Sequence, residues 1–243
     1  MRSMKSGMLL SVIGMLSAAA PAGFDPRLNV HTLVREDIFA GLLGNDMEQF
    51  TRGEKTLEIL LAERPDDRSS ILAWQGSANI YRAVRAYEEK RPAEFAERYR
   101  RGRELLAEAA RLGPDNPGVS AVSGGVYVVL ADRLPPEHRA QAWTTAYDAY
   151  RNLWRMQGAA VEKLPLHLKG ELLAGLAQTA ERTGHKDETA LYLDKMLTLL
   201  PNSAYEARAK KWKENPELAS RTSVACQTCH DAGRLAARKA ALQ

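Results

Sequence analysis

The residues with the clearest chemical potential stand together near the C-terminus, in the run Cys226-Gln227-Thr228-Cys229-His230. The chain of 243 residues contains no other cysteine. At Cys-x-x-Cys-His spacing, two thiols can add to the vinyl groups of a haem while the adjacent imidazole becomes an axial ligand of the iron. The sequence therefore predicts one covalent haem c, with Cys226 and Cys229 as the thioether residues and His230 as the proximal iron ligand.

Three other uses of this motif are a redox-active dithiol, a disulfide and half of a zinc site. A redox dithiol of this spacing belongs in a βαβ context, and the sequence shows none. Zinc needs further ligands at finger-like spacing, and the chain has no second Cys/His pair. Haem attachment is favoured over all three.

The N-terminus has the layout of a secretory signal peptide. Arg2 and Lys5 form its positive region, residues 8–16 its apolar region, and residues 17–23 a stretch of small side chains. The A-x-A site at residues 20–22 predicts a signal peptide over 1–22. Export to a bacterial periplasm agrees with covalent haem attachment, which takes place on the oxidising side of the membrane. An uncleaved leader is the alternative, and membrane association is expected only in that case.

The net basic charge lies near the predicted haem segment. The chain has 34 Lys and Arg against 30 Asp and Glu, and without residues 1–22 the basic count falls to 32. Residues 204–243 alone hold eight basic and four acidic side chains. This excess either steers an acidic redox partner toward the haem edge or merely offsets haem propionates and solvates a helix. The even overall balance and the lack of a nucleic-acid motif argue against nucleic-acid binding.

The middle of the chain contains a repeated helical pattern. Four segments place a small residue, two packing residues and a terminating Pro or Gly at matching intervals, which puts the first three on one helix face. They are Gly53-x3-Leu57-x2-Leu60-x4-Pro65, Gly102-x3-Leu106-x2-Ala109-x4-Pro114, Ala146-x3-Tyr150-x2-Leu153-x4-Gly158 and Thr189-x3-Leu193-x2-Met196-x4-Pro201. Each segment follows another helical stretch, three of which share a second pattern. Those are Trp74-x2-Ser77-Ala78-x2-Tyr81, Ser120-x2-Ser123-Gly124-x2-Tyr127 and Leu173-x2-Leu176-Ala177-x2-Ala180.

Together these patterns resemble the tetratricopeptide repeat, whose signature runs W-x2-L-G-x2-Y and then A-x3-F-x2-A-x4-P. The resemblance covers residues 36–203 and implies an all-α fold of stacked helix pairs, an α-solenoid, after an N-terminal extension over 23–35. Two departures, at 88–97 and 132–138, suggest insertions or longer loops, and the first copy's opening helix, expected near 37–44, matches weakly. Residues 204–215 are expected to form a capping helix. An unrelated α-helical bundle is the alternative.

Residues 216–243 are expected to form a short helical haem-binding segment. The stretch from Cys226 to Arg234 is similar to the C-terminal helix of the cytochrome c′ group. That similarity implies the two thioether cysteines, His230 as proximal ligand and Arg234 beside a haem propionate. The rest of the chain does not look like that group's four-helix bundle.

The motif places no ligand on the second side of the iron. The upstream candidates are His31, His138, His167, His185, Met47, Met156 and Met196. We expect Met196 to lie in the core, His138 to be a solvated residue at a helix start and His185 to lie in a turn. His167 is the single candidate for a distal ligand, because it precedes the last repeat, where the C-terminal segment can dock. An open or water-occupied position is an equal alternative.

These features favour an exported monohaem c-type cytochrome that transfers electrons, with the repeats docking a redox partner on their concave face. The alternatives are a haem-based sensor or small-ligand binder with an open iron and, third, an enzyme such as a peroxidase. The sixth ligand discriminates among them.

Overall fold

A computed structural model of the chain describes residues 28–217, and the regular elements in that range are all helical. The α-helices are α1 (Val30–Gly44), α2 (Met47–Glu63), α3 (Arg68–Glu88), α4 (Pro92–Leu112), α5 (Pro117–Leu130), α6 (Pro136–Gln157), α7 (Leu166–Arg182), α8 (Lys186–Leu199) and α9 (Ala204–Glu214). Short 3-10 turns occupy Pro65–Asp67, Ala131–Arg133 and Gly158–Lys163. The prediction of an all-α fold is therefore confirmed across residues 28–217. The predicted signal peptide and the haem motif lie outside the described residues.

Successive helices form hairpins, because the connections inside each pair are short. Helix α1 packs on α2, α3 on α4, α5 on α6 and α7 on α8, while α9 packs on α8. The first helices of neighbouring pairs also touch, α1 against α3, α3 against α5 and α5 against α7. Among the described residues, no helix is both long and apolar enough to cross a membrane.

The repeated positions all lie at these helix contacts. The small and apolar residues of the pattern are buried on α2, α4, α6 and α8. The residues of the second pattern are buried on α3, α5 and α7. The predicted packing faces are thus confirmed, and the predicted helix ends at Pro65, Pro114, Gly158 and Pro201 fall at or within two residues of the observed ends.

The longer loop suggested at 88–97 is wrong, whereas the segment suggested at 132–138 does include part of a five-residue connection between two helices. Residues 89–91 are a tight turn between α3 and α4, each of which is 21 residues long. Lys90 takes a left-handed conformation with φ of 57°, and Pro92 is the first residue of α4, where its missing N–H costs nothing. The segment after α5 is a 3-10 turn that leads into α6 at Pro136.

The first helix begins earlier than the expected start of the array at residue 36. The Asn29 side chain accepts a hydrogen bond of 2.8 Å from the backbone N–H of His31 and caps α1. Val30, Val34 and Ile38 are buried one turn apart on its inner face. Asn29 therefore starts the helix inside the segment that the sequence assigns to an extension.

Two glycines let α3 and α4 come unusually close. A Cβ atom on Gly102 would lie 2.8 Å from Ile80 Cδ1 and 3.0 Å from the Ile80 backbone nitrogen. A Cβ atom on Gly76 would lie 3.0 Å from the Gly102 carbonyl oxygen. Because backbone atoms cannot move aside as side-chain ends do, this contact requires glycine.

Alanine at Gly102 is therefore expected to destabilise the protein, although alanine is the better helix former. Overpacking costs about 1–3 kcal/mol, which outweighs the gain of about 1 kcal/mol in helix propensity. Gly125 on α5 is the control, because a Cβ atom there meets nothing within 4 Å. We expect Gly125→Ala to stabilise by up to about 1 kcal/mol. Chemical denaturation measures both free energies of unfolding, and changes of the same sign would contradict this account of the contact.

Candidate functional site

The haem motif follows α9, which closes the end of the helix array. The Ser203 side chain accepts a hydrogen bond of 3.2 Å from the backbone N–H of Glu206 and caps this helix. Tyr205, Ala209 and Trp212 are buried against the preceding helices. Helix α9 thus lies where the sequence predicts a capping helix, and it covers the apolar end of the array before residue 218.

Ion pairs lie along the outer face of α9. Lys213 Nζ lies 2.5 Å from Asp194 Oδ1 on α8, and Lys210 Nζ lies 2.7 Å from Glu206 Oε1. The hydrogen bond from Lys210, together with one from the Asn202 backbone N–H, lowers the pKa of Glu206. Part of the basic charge that the sequence places near the haem segment is therefore paired within the array.

His167 lies beside the start of α9, as the second residue of α7. Its Nδ1 is 3.1 Å from the Tyr205 hydroxyl oxygen, and that hydroxyl donates a 2.7 Å hydrogen bond to Glu171 Oε1. Because a phenol has one proton and gives it to Glu171, its oxygen accepts from Nδ1–H of His167. These contacts hold the His167 imidazole beside Tyr205 and Glu171, at the junction of α7 and α9.

The Tyr205 ring reaches this position because residue 170 is glycine. A Cβ atom on Gly170 would lie 2.3 Å from the ring. The contact joins α7 to α9 and holds Tyr205 between His167 and Glu171. This glycine therefore positions the hydrogen-bond chain that orients the imidazole.

His185 lies beyond the opposite end of α7, in the turn that the sequence predicts. Its ring stacks on Tyr147, with centroids 4.4 Å apart and planes 9° apart, and its Nδ1 is 2.8 Å from Thr183 Oγ1. A helix of 17 residues separates this ring from His167, a length of about 25 Å at 1.5 Å per residue. The two histidines therefore offer separate positions, not a shared site.

The remaining candidate ligands occupy structural positions. Met196 is fully buried, as expected, and Met47 and Met156 pack against the core while half-buried. The His31 ring packs on Trp74 with centroids 5.2 Å apart. The expectation for His138 is wrong: it does lie in the first turn of α6, but its ring is half-buried against Tyr99 and Phe95, at 4.6 and 5.4 Å.

The chain after α9 is long enough to return to His167. Eight residues lie between Glu217 and Cys226, and the nine steps along the backbone from one to the other span at most about 32 Å. Helix α9 begins beside His167 and has 11 residues, so its far end lies about 16 Å away. This reach admits His167 as a partner of the haem segment.

Comparison with protein-family models, with curated proteins and with solved structures gives no match. In residues 28–217, no group of three or more His, Cys, Asp or Glu side chains is arranged to hold a metal ion. The haem motif and Arg234 lie outside this range. The donor set of the motif, two thiols and an imidazole, fits covalent haem attachment.

A cleft that the sequence did not predict lies between α4 and the start of α6. It is lined by Phe95, Tyr99, Arg103 and His138, with Ala96, Arg100, Glu104 and Ala107 around them. Phe95 and Tyr99 stack with ring centroids 5.4 Å apart and planes 13° apart. The four-residue spacing from Phe95 through Tyr99 to Arg103 was visible on α4, but the contribution of His138 depends on the packing of α6.

Proposed function

We propose that this chain is an exported monohaem c-type cytochrome that transfers electrons. The observation that carries the proposal is the Cys226-x-x-Cys229-His230 motif, which combines both thioether residues with an iron ligand. The leader over 1–22 supports it, because c-type haem is attached after export. Helix α9 also supports the proposal. It covers the apolar end of the helical array, so the haem segment that follows is not needed to complete the core.

In this proposal Cys226 and Cys229 hold the haem, His230 ligates the iron and Arg234 pairs with a propionate. Bound haem supplies a one-electron redox centre. His167 is the proposed distal ligand, because its imidazole lies beside the start of α9, which leads into the haem segment, and Tyr205 orients it through a contact of 3.1 Å. The same contacts would hold the imidazole of His167 in one orientation.

The helical array is the proposed docking element. Its helices pair in succession, and the first helices of neighbouring pairs are in contact. This pairing supports the proposal of a tetratricopeptide-like solenoid, a class of array that binds proteins on its concave face. This step is an analogy of fold. The basic excess around residues 204–243 favours an acidic redox partner.

Absorption spectra of the purified, haem-loaded protein test the proposal. We expect a six-coordinate low-spin iron that is reversibly reduced and does not bind carbon monoxide readily. A high-spin iron that takes up carbon monoxide at once would overturn the electron-transfer proposal. It would favour the haem-based sensor or small-ligand binder.

His167→Ala tests the distal ligand. The substitution removes the proposed sixth ligand, so the low-spin spectrum should become high-spin and carbon monoxide should bind to the reduced protein. Tyr205→Phe removes the hydrogen bond but keeps the imidazole, and we expect it to retain the low-spin spectrum and shift the reduction potential.

His185→Ala is the matched control, since it removes an exposed imidazole at the other end of α7. It should leave the spectrum unchanged. A low-spin spectrum in His167→Ala would contradict the assignment of His167 as the distal ligand. A change from low-spin to high-spin in His185→Ala would identify His185 as the ligand instead.

A further inference from the structure

The cleft between α4 and α6 brings together polar groups that have no hydrogen-bond partner among residues 28–217. Tyr99 is 5% exposed and lines the cleft, yet its hydroxyl makes no hydrogen bond within this range. The imidazole of His138 makes ring contacts only. The Tyr99 hydroxyl oxygen is not sealed in the core but keeps access to solvent at the cleft. A ligand in the cleft can therefore accept its hydrogen bond.

A second phenol lies behind Tyr99. Tyr127 on α5 is 2% exposed, and its hydroxyl also has no hydrogen-bond partner in the described range. Burial raises the pKa of Tyr127, Tyr99 raises it further, and Arg103 lowers it. Burial likewise raises the pKa of Tyr99, against the opposing effect of Arg103. Both phenols are therefore neutral hydrogen-bond donors.

The cleft carries an uncompensated positive charge. The guanidinium of Arg103 lies over the Tyr99 ring, 5.7 Å from its centroid, and has no ion pair with any residue in the range 28–217. Glu104 does not neutralise Arg103, because its carboxylate accepts from Arg100 at 2.6 Å and lies 3.9 Å from Arg101. A guanidinium beside phenol donors is suited to a carboxylate.

The wall of the cleft is flat and apolar. The rings of Phe95 and Tyr99 are stacked, and His138 lies against both. Such a surface favours a planar or compact apolar body through stacking and burial. The cationic side chain therefore suits an anionic end of a small molecule, and the aromatic wall suits a flat apolar end of the same molecule.

We propose that the α4–α6 cleft is a binding site for a small carboxylate with a flat apolar body, held by Arg103 and Tyr99 against the Phe95 ring. The ligand contacts α4 and α6 together. Its binding therefore tightens the packing of two neighbouring hairpins. The lining residues of this cleft do not include the haem segment. The test of this site is therefore independent of the test of the proposed function.

Benzoate is the probe, titrated into the full-length chain and followed by two-dimensional NMR. We expect saturable binding, with a dissociation constant on the order of 1 mM and shifts centred on Tyr99, Arg103 and His138. Arg103→Gln should weaken binding about tenfold or more, because it removes a charge-assisted hydrogen bond. Tyr99→Phe should weaken it by about threefold to tenfold.

Arg111→Gln is the control, since it makes the same charge change on α4 about 12 Å along the helix axis from Arg103. It should leave binding unchanged. Benzamide, which is neutral and of the same shape, should bind at least tenfold more weakly than benzoate. The proposal is overturned if benzoate does not saturate, if benzamide binds equally well, or if Arg111→Gln weakens binding as much as Arg103→Gln. Shifts that centre on another face would also overturn it.

Discussion

A chain that ends after Asn202 is expected to lose its cooperative fold, whereas one that ends after Glu217 is expected to keep it. The shorter chain lacks α9, whose Tyr205, Ala209 and Trp212 are buried. Loss of a buried tryptophan side chain alone typically costs about 3–5 kcal/mol, against a total stability of about 5–15 kcal/mol. Removal of the helix also uncovers the apolar residues of α7 and α8 that it caps.

Circular dichroism during heating measures this difference. The chain that ends at Glu217 should give a helical spectrum with one cooperative transition, and the chain that ends at Asn202 a weak, broad transition or none. Equal transitions would show that α9 is dispensable. A disordered longer chain would show instead that residues 218–243 are part of the core.

Replacement of both cysteines by alanine is expected to abolish covalent haem attachment. Without Cys226 and Cys229 the chain has no thiol to add to the vinyl groups. When the protein is produced with a c-type maturation system, haem staining of the denatured chain should disappear in the double variant. Thr228→Ala is the control, because it alters the same motif without removing a thiol or the histidine, and its stain should persist. A stain that survives the double substitution would rule out attachment at this motif.

The packing faces of the helices were predictable, because the spacing of residues along a helix determines which of them share a face. A small residue followed by apolar residues at intervals of four and three, as in Gly102, Leu106 and Ala109, places all three on one face wherever the helix packs. The terminating prolines act through local backbone geometry in the same way. Such signals do not depend on distant contacts.

The length of α3 and α4 was not predictable from local signals. The charged stretch around Glu88 and Pro92 is typical of a loop, but the chain turns within three residues at Lys90. A lysine with positive φ has no recognisable signature, unlike Gly184 with φ of 83°. The Tyr87 and Phe95 rings, with centroids 5.9 Å apart, close this hairpin across the turn.

The surroundings of the candidate ligand histidines depend on contacts between residues that are distant in the sequence. The local sequence around His138 is that of a solvated helix start, yet α4 covers its ring with Phe95 and Tyr99. The hydrogen bond between His167 and Tyr205 joins residues 38 positions apart. Spacing along the chain cannot show such pairings, because the packing of whole helices decides them.

The intact mass of the chain, measured under denaturing conditions after production with a c-type maturation system, tests the central claim most directly. The account predicts a polypeptide that begins at Gly23 and carries the mass of one haem. After proteolysis, that mass should stay on the peptide that contains Cys226, Cys229 and His230. A chain whose mass equals that of the polypeptide alone, or a haem that denaturation releases, would contradict the assignment of this protein as a c-type cytochrome.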